Sequence, residues 1–117
     1  MATYVLIGKY SNLFDEGMIH TPQDRMKVVE PMLKSMGAKL LTFLFMPNNP
    51  ENDFVATVET DDEMKLMGGV RMVHATGTFS KINSFRAYDS VEMKKIFQMG
   101  HNGMESFVSA KQGAGIE

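Results

Sequence analysis

The stretch Lys-Leu-Leu-Thr-Phe-Leu-Phe-Met, residues 39–46, constrains the fold more than any other part of this chain. Side chains of a strand point alternately to opposite faces. Strict alternation puts Leu41, Phe43 and Phe45 on one face and Leu40, Leu44 and Met46 on the other, so both faces require cover. Residues 3–10, Thr-Tyr-Val-Leu-Ile-Gly-Lys-Tyr, pose the same problem. Tyr4 and Leu6 share one side there, and Val5 and Ile7 share the other. The sheet is therefore apolar on two sides, in a chain of only 117 residues.

The remaining elements follow from local signals. Residues 11–20 read as a long connection that carries Phe14, Met18 and Ile19, apolar groups that suit a lid or binding loop better than a solvated one. Thr21 and Pro22 are a fitting N-cap and first helical residue. Met26, Val29, Leu33 and Met36 then recur at helical spacing, with Gly37 as the stop. Pro31 lies inside this helix and predicts a kink or break near Glu30. Pro47 to Asp53 form a turn, and residues 54–59 a strand that pairs with 39–46 as an antiparallel hairpin. Thr60 with Glu63 predicts a capping box for a second helix, whose stripe is Leu66, Met67, Val70 and Val73. Gly68-Gly69 weakens that helix and suits a close approach by another backbone. A last strand lies within residues 79–88. Asp89 with Glu92 caps a third helix carrying Met93, Ile96 and Phe97.

This order, β-α-β-β-α-β followed by a terminal helix, is the ferredoxin-like pattern of an α+β domain. Its helices cover one face of a four-stranded antiparallel sheet. The domain is expected over residues 1–100, with a partly flexible C-terminal extension over 101–117. The second apolar face calls for a partner, because a large exposed apolar patch marks an interface. The simplest partner is the same face of a second copy, giving a homodimer of α/β-barrel form. The competing arrangement folds the tail across the sheet within one subunit.

Composition narrows the function classes. Formal net charge is −2, with Lys and Arg scattered, which argues against a nucleic-acid partner. The chain has no cysteine, so thiolate metal sites, disulfides and cysteine nucleophiles are excluded. No apolar run approaches the ~20 residues of a membrane span, and the N-terminus leads directly into a strand instead of a signal segment. A cytoplasmic protein without a membrane partner is the expectation. Methionine is abundant, with 12 residues. Met26, Met32, Met36, Met64, Met67 and Met93 fall on helix faces and read as core filling, or as the lining of an adaptable binding surface.

Four segments resemble the GYD-domain family, within the dimeric α/β-barrel superfamily: Tyr-Val-Leu-Ile-Gly-Lys-Tyr at 4–10, Met-Gly-Ala-Lys-Leu at 36–40, Asn-Asp-Phe-Val-Ala-Thr-Val-Glu-Thr-Asp-Asp-Glu at 52–63, and Phe-Arg-Ala-Tyr-Asp-Ser-Val-Glu-Met at 85–93. Glu51-Asn52-Asp53 stands where that family has Gly-Tyr-Asp, so Asp53 alone is carried over. The resemblance implies a fold and a homodimer but no particular activity. Related barrels include cofactor-free monooxygenases, small-ring isomerases and haem enzymes.

Candidate chemistry is sparse. His20 lies just ahead of the capped helix, where the positive end of the dipole favours a neutral ring able to act as a base. His74 and His101 stand near helix ends, and no pair has metal-site spacing, so no metal or other cofactor is expected. Tyr10, Asn83, Ser84 and Arg86 are strand residues able to fix a small ligand in an apolar pocket. Arg86 suits a carboxylate, although a rim salt bridge with Glu59 is the plainer reading. Asp53 is readable as a base or, more plainly, as an acceptor for nearby backbone donors. Three functions remain: a homodimer binding a small, partly apolar molecule; a cofactor-free monooxygenase- or isomerase-like enzyme using His20; and an interaction dimer with a filled interior and no ligand.

Overall fold

The computed structural model describes residues 1–116. The elements are β1 (Ala2–Tyr10), α1 (Asn12–His20), α2 (Met26–Ser35), β2 (Ala38–Phe45), β3 (Phe54–Thr60), α3 (Glu63–Ala75), β4 (Phe79–Ala87), α4 (Ser90–Asn102), a 3₁₀ turn (Met104–Ser106) and α5 (Ala110–Gly113). The chain divides into two compact units, Met1–Ala87 and a second that begins at Tyr88.

In the first unit the four strands form one antiparallel sheet in the order β2-β3-β1-β4. This α+β arrangement is consistent with the ferredoxin-like pattern. Tyr4, Leu6 and Tyr10 of β1 face the helices with Phe54, Ala56 and Val58 of β3. Leu33 of α2 and Leu66 and Val70 of α3 pack on them.

The puzzle of residues 39–46 is resolved by a bulge. Leu40 pairs with Val58, but the next pair is Thr42 with Thr57, which leaves Leu41 as the extra residue. A bulge inserts one residue and resets the alternation. Leu40, Phe43 and Phe45 therefore share the helix-facing side with Val58, Ala56 and Phe54, while Thr42 and Leu44 lie opposite with Thr57 and Val55. This corrects the strict alternation, which had separated Leu40 from the two phenylalanines. A second register shift, in β1–β4, passes from Lys9–Lys81 to Tyr10–Phe79. Beside it, a Cβ on Gly8 would lie 2.2 Å from the Lys81 carbonyl oxygen, so the position requires glycine.

Residues 12–20 form a helix, not the expected loop. Its start is held by distant partners: the Ser11 N–H donates to the Thr78 carbonyl at 2.8 Å and the Ser11 hydroxyl to the Gly77 carbonyl at 2.5 Å. Neither bond is visible in local sequence. Thr21 ends α1 instead of capping α2. The first turn of α2 is instead served by Asp24, whose Oδ1 accepts the Met26 N–H at 3.1 Å. Because α2 starts later than expected, Pro31 falls in its second turn, and the helix runs unbroken to Ser35. Gly37 follows with φ 72°, the left-handed conformation of a glycine stop.

The expected Thr60–Glu63 box does not form. Thr60 is the buried end of β3 and donates its hydroxyl to the Gly37 carbonyl, while Asp62 caps α3 by accepting the Lys65 N–H at 3.0 Å. On α3, Gly69 is approached by the Met36 side chain, not by a backbone. In the second unit the Asp89–Glu92 box is present as expected, and Ser109 with Gln112 forms another at α5. Among the described residues no helix is long and apolar enough to cross a membrane.

Candidate functional site

Between the sheet and helices α2 and α3 lies a cavity of about 320 Å³. Its floor is Leu6, Tyr10, Phe54, Ala56, Phe79 and Ile82, with Phe43 at one side. Val29, Met32 and Leu33 of α2 and Leu66, Val70 and Val73 of α3 form the walls. These helix residues are the stripes that the sequence spacing marks, so the periodicity that folds the helices also lines the space. Val28, Met72 and Thr76 line it too and are exposed, which places the opening between α2 and the C-terminal part of α3.

One end of the cavity is aromatic. Tyr10 stacks on Phe14 with ring centres 3.6 Å apart and planes within 9°. Phe79 lies 4.8 Å from Tyr10 on centroids, Phe54 lies 5.2 Å away, and Phe43 stands edge-on to Phe54. Phe14 is the apolar residue of the 11–20 stretch that a solvated loop would waste, and the stack on Tyr10 gives it a partner.

The polar groups at the cavity differ in how well they are satisfied. Thr76 and Thr78 share a hydroxyl–hydroxyl bond of 2.9 Å, and Thr76 also donates to the Val73 carbonyl. Tyr10 is 9% exposed, and among the described residues its hydroxyl has no hydrogen-bond partner. Burial raises its pKa above the ordinary tyrosine range; the Arg25 charge opposes that rise and Asp53 adds to it. The phenol therefore remains a neutral donor. Arg25 is half-buried at the start of α2 and donates to the Gln23 side chain at 2.8 Å. Among the described residues no carboxylate lies within ion-pair distance of it. Arg25 and Thr78 also line a second cavity of about 190 Å³ against Leu13, Phe14, Gly17 and Met18 of α1.

Of the residues singled out from sequence, Tyr10 lines the larger cavity. Ser84 and Arg86 share the helix-facing side of β4, paired with Leu6 and Tyr4, but neither lines either of these two cavities. Arg86 donates to the Thr3 and Ala87 carbonyls and lies over the Tyr4 ring, 5.8 Å from its centre. Tyr4 and Tyr10 are six residues apart on one strand, about 20 Å, so Arg86 and Tyr10 do not serve one small ligand. The Ser84 hydroxyl is buried without a partner among the described residues. Asn83 pairs with Ile7 on the opposite face of the sheet.

His20 is the exposed last residue of α1 and lines neither cavity. It stands at the negative end of its own helix, not at the positive end of the next, which begins only at Met26. Asp53 takes its plainer role. It accepts the Tyr10 N–H at 2.9 Å, donates its own N–H to the Gly8 carbonyl, and lies 4.0 Å from the Lys9 ammonium. Among the described residues no cluster of His, Asp and Glu forms a metal site.

Arg25 is the residue that the sequence reading missed. The signal was present: Arg25, Val29, Met32 and Leu33 fall at i, i+4, i+7 and i+8, so a cation sits in line with the apolar stripe of its helix. The chain matches no known protein-family model and no curated protein.

Proposed function

We propose that this protein is a homodimeric α/β-barrel domain that binds a small, partly apolar molecule between the sheet and helices α2 and α3. The observation that carries the reading is the cavity itself. Ligand pockets run from about 300 to 1,000 Å³, are mostly apolar, and hold a few placed polar groups. The space here is about 320 Å³ and has an aromatic end beside a tyrosine hydroxyl and an arginine. Met32 and Met72 at its wall supply flexible, polarizable surface. The test is a thermal-shift screen of apolar metabolites against the native chain and against Val73→Trp, which fills the cavity from its α3 wall. Ligands that raise Tm in the native protein and not in the variant support the reading. A screen with no shift in the native protein contradicts it.

The second copy is assigned to the outer face of the sheet. Register places Leu44, Val55, Ile7 and Asn83 in one row across that face and Thr42, Thr57, Val5 and Phe85 in the next. Leu44 is 62% exposed and Phe85 57%. Lys9 and Lys81 lie at one end of this band, and Glu59, flanked by Lys39 and Thr3, at the other. A two-fold axis across the strands sets these rows against the same rows of the partner and buries Leu44 and Phe85, an isologous contact. The resemblance to GYD-domain proteins points to the same pairing.

A further inference from the structure

We propose that the cavity beneath α2 and α3 is selective for an apolar monocarboxylate carrying an aromatic ring, with the carboxylate held between the Arg25 guanidinium and the Tyr10 hydroxyl. The inference rests on the binding reading above and adds the charge and shape of the ligand.

The argument starts from the inventory of free hydrogen-bonding groups. The threonine hydroxyls satisfy each other and a backbone carbonyl, so they ask nothing of a ligand. Tyr10 and Arg25 do. Guanidinium groups only donate, and a phenol that keeps its proton has a donor to offer. Among the described residues, nine-tenths-buried Tyr10 has no hydrogen-bond partner for its hydroxyl, and Arg25 has one neutral partner, Gln23. Arg25 and Tyr10 line the same cavity, and the Arg25 charge opposes the effect of burial on Tyr10. The carboxylate that also influences Tyr10, Asp53, is already engaged by the Tyr10 N–H and Lys9. Two donors with no matching acceptor, at the edge of a low-dielectric space, select an acceptor that carries negative charge.

One planar guanidinium fits a carboxylate in bidentate fashion. A phosphate ester would bring nearly twice the charge to a site with a single cation. The remaining surface sets the rest of the molecule. Phe54 and Phe79 meet Tyr10 at the end of the cavity and Phe43 stands edge-on to Phe54, and faces of this kind favour a flat ring in offset or edge-on contact. At about 30 Å³ per water the space holds roughly ten waters, which is the bulk of a single-ring acid.

The experiment is isothermal titration of the full chain with 3-phenylpropionate, 3-phenylpropionamide and octanoate. The three probes separate charge from ring. The native protein is expected to bind the aromatic acid at least about tenfold more tightly than its neutral amide, the factor a charge-assisted hydrogen bond supplies, and more tightly than octanoate. Arg25→Gln, at a half-exposed position that leaves the core intact, is expected to bring the acid down to the affinity of the amide. Tyr10→Phe keeps the aromatic stack and is expected to weaken the acid severalfold. Equal affinity for acid and amide, abolished by Val73→Trp, overturns the anion assignment and leaves the cavity reading standing. Octanoate binding as well as the aromatic acid overturns the ring assignment. Binding that survives Val73→Trp places the ligand elsewhere and overturns the proposal. Failure of all three probes, including the amide, overturns it too.

Discussion

The two faces of the sheet are made from the same strands, yet they solve opposite problems. The helix-facing side is closed by α2 and α3 and holds both the best-buried residues, Val58 at 0% and Leu66 at 1% exposure, and a cavity. The outer side mixes Leu44, Val55, Ile7, Val5 and Phe85 with Thr42, Thr57 and Asn83, and Leu44 and Phe85 remain exposed on it. What divides them is less hydrophobicity than register. The bulge at Leu41 moves Leu40 to the helix side, where it packs in one layer with Phe43 and Phe45, and leaves Leu44 and Thr42 outside. A single inserted residue thus gathers Leu40, Phe43 and Phe45 on the helix-facing side, where Phe43 reaches the cavity.

That comparison can be broken most sharply at the inner face. Leu66→Ala removes a fully enclosed side chain and should cost about 3 kcal/mol of unfolding free energy, read by urea denaturation. A loss below about 1 kcal/mol would mean that the inner face is less tightly closed than described. Gly8→Ala comes next. Its methyl group would meet the Lys81 carbonyl oxygen, so β1 and β4 must separate locally, and a loss of roughly 2 kcal/mol is expected.

The outer face should respond differently. Phe85→Glu is expected to change subunit unfolding little, because the side chain is largely exposed, yet to shift the native mass spectrum from dimer to monomer. A variant that stays dimeric would move the interface off this face. Thr42→Val breaks the 2.7 Å hydroxyl pair with Thr57 on the same face and should cost about 0.5 kcal/mol. The smallest effect belongs to Ser84→Ala. Its hydroxyl is buried without a partner among the described residues, so its removal should be neutral or stabilising by up to about 1 kcal/mol. A clear destabilisation would reveal a bond to that hydroxyl.

Much of this arrangement was legible in the chain. The strand runs, the helical stripes of α2 and α3, the glycine stop at Gly37 and the Asp89–Glu92 box are local signals, and the structure shows each. What escaped depends on distant partners. Helix α1 starts without a side-chain cap of its own, held by Thr78 and Gly77 across the sheet. Thr60 gives its hydroxyl to Gly37 and so never caps α3. The bulge at Leu41 has no glycine or proline to announce it. Of the candidate ligand residues, only Tyr10 lines the cavity, because the bare alternation of β4 says which residues share a face but not where along the sheet the helices leave space. Arg25 could have been found by asking why a cation sits on an apolar stripe. Met64, counted among the helix-face methionines, is 86% exposed, so its position follows the spacing no further than the first turn of α3.

The methionines supply the most direct test of the central claim, that the enclosed side of the sheet is a binding cavity. Methyl-¹³C methionine NMR during titration with 3-phenylpropionate reads both surroundings at once. Met32 and Met72 line the cavity, and Met64 stands in solvent. The account predicts that the Met32 and Met72 methyl signals move in a saturable way while Met64 stays fixed. Met32 and Met72 signals unmoved at saturating ligand, or shifts spread equally to Met64, would contradict it.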